Sequence, residues 1–213
     1  MLDTTTNTNA FEEWRRRVDW RVDLILTPTK TPKAILANAL LALRKAPEWQ
    51  NALAFDEFAL VTMLMRAPPW LANQGNSWTP RQWTDRDDVL TANWLQNNEI
   101  CVNEKVAATA VEAVAKDASF HPIRDYLTSL QWDGTARIES FAADYLGAEA
   151  KPYHEAVSRC LFIAGVARIM RPGCKADYVP IFEGVQDKGK STAIELLFSP
   201  WFSDDLAELG SKD

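Results

Sequence analysis

Apolar residues recur every three to four positions over several stretches of the chain, and polar, proline-bounded breaks separate them. In "KAILANALLALRKA" (residues 33–46) Ile35, Ala39, Leu40 and Leu43 fall on one face, which predicts a helix closed by Pro47. Upstream, "FEEWRRRVDWRVDLIL" (11–26) reads as a helix stopped by Pro28 and Pro32, so the two form a predicted helical hairpin. "FDEFALVTMLMRAPPW" (55–70) is bulky, partly β-branched and closed by Pro68 and Pro69, the pattern of a strand running into the loop "LANQGNSWTP". Two further helices follow. "TDRDDVLTANWLQNN" (84–98) begins with Thr84 as N-cap and acids in its first turn, and carries Val89, Leu90, Ala92, Trp94 and Leu95. "NEKVAATAVEAVAKDA" (103–118) is capped by Asn103, with Val106, Ala110 and Val114 at spacing four. One reading of the strand, the short helix, the turn and the longer helix is a winged-helix-like module with weak wing strands.

Beyond this module, "HPIRDYLTSLQWDGTARIESFAADYLG" (121–147) predicts two short helices around a Trp132-Asp133-Gly134 turn, with Gly147 as a helix stop. "YHEAVSRCLFIAGVARIM" (153–170) is apolar around most of its circumference, which predicts a buried helix ended by Pro172 and Gly173. The expected organisation is a polar, Thr-rich leader (1–10), a helical region with the winged-helix-like module (11–118), a helical connector (119–172) and a final segment (173–213). In fold class the N-terminal region is expected to be mainly α, followed by the first βα unit of an α/β P-loop domain.

That last expectation rests on "EGVQDKGKSTAIELLF" (183–198). Gly184, Val185, Gln186, Asp187, Lys188, Gly189, Lys190 and Ser191 match G-x-x-x-x-G-K-[ST], placed between a short apolar run, "DYVPIFE" (177–183), and the helix-forming "STAIELLF" (191–198). Glycines let successive backbone N–H groups point at phosphate oxygens, and the new helix adds its positive end. In that chemistry ATP and Mg²⁺ are the implied ligands: Lys190 neutralises the β- and γ-phosphates, and Ser191 ligates the metal. The competing reading is a glycine-rich turn joining two elements. Pro180 places the apolar run at a strand end or edge, and Glu183 and Asp187 add negative charge beside the phosphates.

Charge and composition change this picture in detail. The net charge of −6 argues against a general nucleic-acid coat, yet residues 11–50 hold eight basic and five acidic side chains, whereas 181–213 hold three and seven. Any DNA contact is therefore expected early, with Arg15, Arg16, Arg17 and Arg21 as candidates, against the reading that they are the solvated side of a helix. No segment has the length of an apolar membrane span or the layout of a signal peptide, so a cytoplasmic protein is expected. Cys101, Cys160 and Cys174 are odd in number and widely spaced, which suits free thiols, and with His121 and His154 they form no metal-ligand spacing. The nine tryptophans include Trp14, Trp94 and Trp132, which are expected to pack in cores rather than stack on bases. No residue is singled out as catalytic.

"HPIRDYLTSLQWDGTARI" (121–138), "AVSRCLFIAGVARIMRPGCKADYVPIFEGVQDKGKSTA" (156–193) and "WFSDDLAELGSKD" (201–213) resemble consecutive signature segments of the virulence-associated protein E family. The resemblance implies a phage or prophage P-loop replication ATPase related to superfamily 3 helicases, with nucleotide contacts at Gly184 through Gly189, Lys190, Ser191 and Thr192, and with DNA, other replication proteins and homo-oligomeric rings as its setting. Val185 and Asp187 depart from the proline and glycine that such loops tend to carry. Relatives also continue past this chain's last segment into acidic residues that complete the magnesium site. The expectation is thus a C-terminally truncated chain, inactive as an ATPase alone, with a downstream-encoded remainder as one partner. Asp204 and Asp205 are read as a solvated turn rather than substitute carboxylates. The alternative is a DNA- or partner-binding module that keeps the loop only as structure.

Overall fold

The computed structural model describes residues 19–186 and 188–204, and divides the chain into two compact units, Met1–Tyr126 and Leu127–Asp213. The predicted helix over 11–26 lies mostly outside the described residues. Its described end is a short 3₁₀ turn, Trp20–Asp23, followed by a turn through Thr27–Thr31, so the described residues form no helical hairpin. Two X-Pro bonds within six residues, Thr27-Pro28 and Thr31-Pro32, bias this stretch away from the α region.

In the first unit α1 (Leu36–Lys45), α2 (Asp85–Asn97) and α3 (Glu104–Asp117) lie with a four-stranded sheet of β1 (Leu53–Asp56), β2 (Val61–Leu64), β3 (Arg81–Gln82) and β4 (Ser119–Phe120). Its order is β3-β2-β1-β4, with β1–β2 and β2–β3 antiparallel and β4 parallel to β1. A mainly α region was expected, and the unit is mixed α/β instead. Strands of two to four residues carry too little alternation to stand out in a sequence. The single strand expected over 55–70 is a hairpin. Asp56 Oδ1 closes its turn by accepting from Phe58 N at 2.8 Å and Ala59 N at 3.0 Å. This hairpin precedes the α2–α3 helix pair in the chain.

Both capping expectations hold. Val106 N donates to Asn103 Oδ1 at 3.0 Å to start α3, and Thr84 N and Oγ1 both donate to Asp87 Oδ2 to start α2. Asp87 also receives a two-pronged contact from Arg81, at 2.7 and 2.8 Å, which ties β3 to α2. Burial pushes the Asp87 carboxyl up, but the hydrogen bonds from Arg81 and Thr84 outweigh it and leave it below the ordinary carboxylate range. On α3 the buried stripe is Ala107, Ala110, Val111 and Ala115, with Val106 and Val114 at its margin. It packs on Ala39, Ala42 and Leu43 of α1. Trp49 sits among Trp70, Trp94 and Trp83, with ring centroids 5.7, 5.7 and 6.3 Å away, and Trp20 stacks on Trp94 at 6.1 Å. Trp94 packs half-buried against the core, in line with the expected packing role, whereas Trp14 lies outside the described residues.

The second unit contains α5 (Phe141–Leu146), α6 (Pro152–Met170) and α7 (Lys190–Phe198); α4 (Pro122–Ser129) spans the boundary between the units. Phe141 meets Phe162 edge-on at 4.9 Å, and Ala142 N donates to the buried Ser158 Oγ at 3.3 Å, which joins α5 to α6. Gly147 takes the left-handed conformation that ends α5. Three expectations fail here. Residues 177–183 form no strand: Pro180 lacks an amide donor, and the described residues supply no ladder partner. α6 is not a buried helix, because among the described residues nothing covers Ile163, Val166 or Met170. Trp132 is 80% exposed rather than core. Its indole N–H is held by Thr135 O at 3.2 Å in a turn that Asp133 and Arg137 close with paired hydrogen bonds, and Arg137 holds the Asp133 carboxyl well below the ordinary range. No helix among the described residues is long and apolar enough to cross a membrane.

Two outcomes follow for the first unit. Ala110→Leu is expected to cost about 1–3 kcal/mol through overpacking, read as a lower denaturant midpoint. A carboxyl with a depressed pKa stabilises the fold above its unfolded value, near 4, and that stability is lost as pH falls through the folded value. Asp87→Asn is therefore expected to lower the midpoint at pH 7, by a deficit that shrinks on acidification below about pH 4.

Candidate phosphate-binding loop

Residues 184–189 connect an irregular segment to α7, and the handedness of the chain changes at their end. Gly189 has φ +73° and ψ +18°, a left-handed conformation that an L side chain would enter at a cost of about 1–2 kcal/mol. It occupies the N-cap position, and its carbonyl accepts the first helical hydrogen bond from Ala193 N at 2.9 Å. Having no side chain, it leaves the orphan amides of the first turn without a side-chain cap, and no acid in that turn competes for them. Gly184 differs. A Cβ built there would lie 3.9 Å from Lys190 Cδ and 4.0 Å from Nζ, ordinary van der Waals contact, so space in this state does not require glycine at that position.

Lys190 is the first residue of α7, and its side chain turns back across the loop. Nζ donates to Gly184 O at 3.0 Å and to Val185 O at 2.8 Å. Its charge is thus held inside the bend of the loop by neutral carbonyl dipoles, with no carboxylate as ion-pair partner among the described residues. Ser191 and Thr192 follow in the first helical turn with exposed side chains. Glu183, Val185, Gln186 and Lys188 are exposed around the loop, and Asp187 lies outside the described residues. The structure therefore brings Gly184, Val185, Gly189, Lys190, Ser191 and Thr192 to one bend. Phe198, at the other end of α7, lies against Gly165 of α6 with its Cε1 4.0 Å from where a Cβ would sit.

The remaining candidates are scattered. Arg15, Arg16 and Arg17 lie outside the described residues, while Arg21 lies over the Trp20 ring at 4.7 Å and donates to Asn98 Oδ1. His121, read as a loop residue, caps α4: its Nδ1 accepts from Arg124 N at 3.2 Å. His154 Nδ1 is 2.6 Å from Glu149 O. The three cysteines are free thiols. Asp204 is exposed and outside any regular element, and Asp205 lies beyond the described residues. Sequence reasoning missed Asn38, a buried amide in the apolar face of α1 whose only signal was a polar residue inside a helical apolar run.

Residues 127–213 match the family model of the virulence-associated protein E-like domain. The match begins where the second structural unit begins, at Leu127, and contains the whole loop. No curated protein matches the chain.

If the left-handed turn sets the loop, Gly189→Ala is expected to speed amide hydrogen exchange over residues 184–193. Exchange in α1 and α3 of the first unit is expected to stay unchanged.

Proposed function

We propose that residues 184–192 bind a nucleoside triphosphate, with ATP as the ligand, and that the second unit is the nucleotide-binding part of a phage-type replication ATPase of the virulence-associated protein E kind. The carrying observation is the lysine seated in its own loop. Lys190 places an ammonium, held among the described residues by the carbonyls of Gly184 and Val185, where the loop bends round to the start of α7. A phosphate chain entering that bend meets the ammonium, the uncapped first-turn amides and two hydroxyls, all donors or positive charge. The family match over 127–213 supports the same reading.

The donor set also fits magnesium. Mg²⁺ favours a few oxygen ligands together with phosphate oxygens and water, and Ser191 offers an exposed hydroxyl in the first turn beside the phosphate seat. When bound, the metal would neutralise charge on the β- and γ-phosphates. The chain's own residues do the rest: Gly189 turns the backbone, Lys190 supplies a fixed cation, and Thr192 adds a second exposed hydroxyl one residue on. In the wider family reading this unit couples nucleotide binding to work on DNA.

Titration with a fluorescent ATP analogue in the presence of magnesium tests the site. Lys190→Ala is expected to weaken binding at least tenfold, about 1.4 kcal/mol, without changing the melting temperature. Ser191→Ala is expected to remove most of the magnesium dependence. Equal affinity in the parent and Lys190→Ala chains would sink the reading.

A further inference from the structure

The cationic surface that the structure builds in the first unit lies in residues 25–33, a loop whose sequence, "ILTPTKTPK", had suggested only a break between helices. Three layers of hydrogen bonds shape it. Leu26 and Pro32 pair as an antiparallel bridge, and Thr27 N donates to Thr31 O at 2.8 Å. Lys33 N donates to Ile25 O, and Lys30 N donates to Thr27 O, both at 2.9 Å. At the base the buried Asn38 clips the two ends together: its Nδ2 donates to Ile25 O and Lys33 O at 2.9 Å each, while its Oδ1 accepts from Ile25 N at 2.8 Å.

The loop presents donors and positive charge. Lys30, at φ +64°, occupies a left-handed position that a non-glycine residue enters only at a cost, and it and Lys33 are exposed. Neither forms an ion pair among the described residues. The nearby Lys45 and Arg44, by contrast, are satisfied by Asp23 and Asp117, each at 2.8 Å. From Leu24 to Ala46 the sequence contains no acid. In the same loop three hydroxyls converge: Thr27 Oγ1 is 2.9 Å from Thr29 Oγ1 and 2.7 Å from Thr31 Oγ1, and Thr31 N donates to Thr27 Oγ1. Hydroxyl protons shared only among themselves rotate toward an incoming anion at little cost.

We propose that residues 25–33 bind the phosphodiester backbone of nucleic acid without reading its sequence. Lysines with no ion pair among the described residues, set beside hydroxyl donors, suit phosphate oxygens, which position a strand, and the loop offers no guanidinium or amide side chain for base edges. The Asn38 clip and the two prolines hold the loop in shape before binding, so little ordering entropy is lost on contact. The proposal does not rest on the nucleotide site, which lies in the other unit.

The test is anisotropy of a labelled oligodeoxynucleotide with the full chain, titrated at several salt concentrations. Lys30→Ala with Lys33→Ala is expected to weaken binding at low salt by at least tenfold. It should also flatten the slope of log affinity against log salt by roughly 1.4 on a single strand or roughly 1.8 on a duplex. Thr29→Val is expected to weaken binding with the slope unchanged, and Lys175→Ala, in the second unit and paired with Asp177, is expected to change neither. Absence of binding at low salt, an unchanged slope in the double variant, or equal competition by polyglutamate would each overturn the proposal. Since both lysines are exposed, the double variant should melt like the parent, and circular dichroism checks that.

Discussion

The close approach of α1 and α3 is the contact on which the first unit depends. Ala39, Ala42 and Ala46 on one side, and Ala107, Ala110 and Ala115 on the other, are all fully buried. Small side chains let the two helices pack closely, with Leu43 and Val111 buried at the same contact. That spacing sets where β1 can lie against α3, and so where the hairpin and the parallel β4 complete the sheet. Trp49, just beyond the end of α1, then gathers Trp70, Trp83 and Trp94, so that segments far apart in the chain share one aromatic cluster.

The second unit rests on a different kind of constraint. Among its described residues Ser158 is buried and no apolar residue is. Helix contacts such as Phe141 on Phe162 are present, yet Tyr178, Val179 and Ile181 stand open to solvent. What is well defined there is local. The turn of Asp133 and Arg137, the left-handed Gly147 and the loop ending at Gly189 each arise from hydrogen bonds or backbone preferences within a few residues. The bend before α7 belongs to this class: a left-handed glycine, a helix start and one lysine set its geometry.

Positive charge is used differently in the two units. In the second, one ammonium is held by carbonyl dipoles inside a bend of the backbone, which suits a compact polyanion. In the first, two lysines stand on an outward loop stiffened by a buried amide, which suits an extended anion passing over a surface. An acidic chain overall can hold both, because screening confines each to its own neighbourhood.

The sequence by itself determined the features that depend on near neighbours. The caps at Thr84 and Asn103, the course of α2 and α3, the stop at Gly147 and the glycine-lysine loop before α7 were all legible, because each follows from side chains within about one helical turn. Tertiary structure decided what depends on distant partners. The short strands form where α3 and one another hold them, and residues 177–183, although more apolar than β3, stay irregular where the described residues supply no partner. The same rule separates the tryptophans: Trp94 is half-buried by rings brought from elsewhere in the chain, and Trp132, on a locally closed turn, stands exposed. Asn38 marks the boundary most sharply, since a buried amide in an apolar stripe is unfavourable until the ends of a loop arrive to satisfy it.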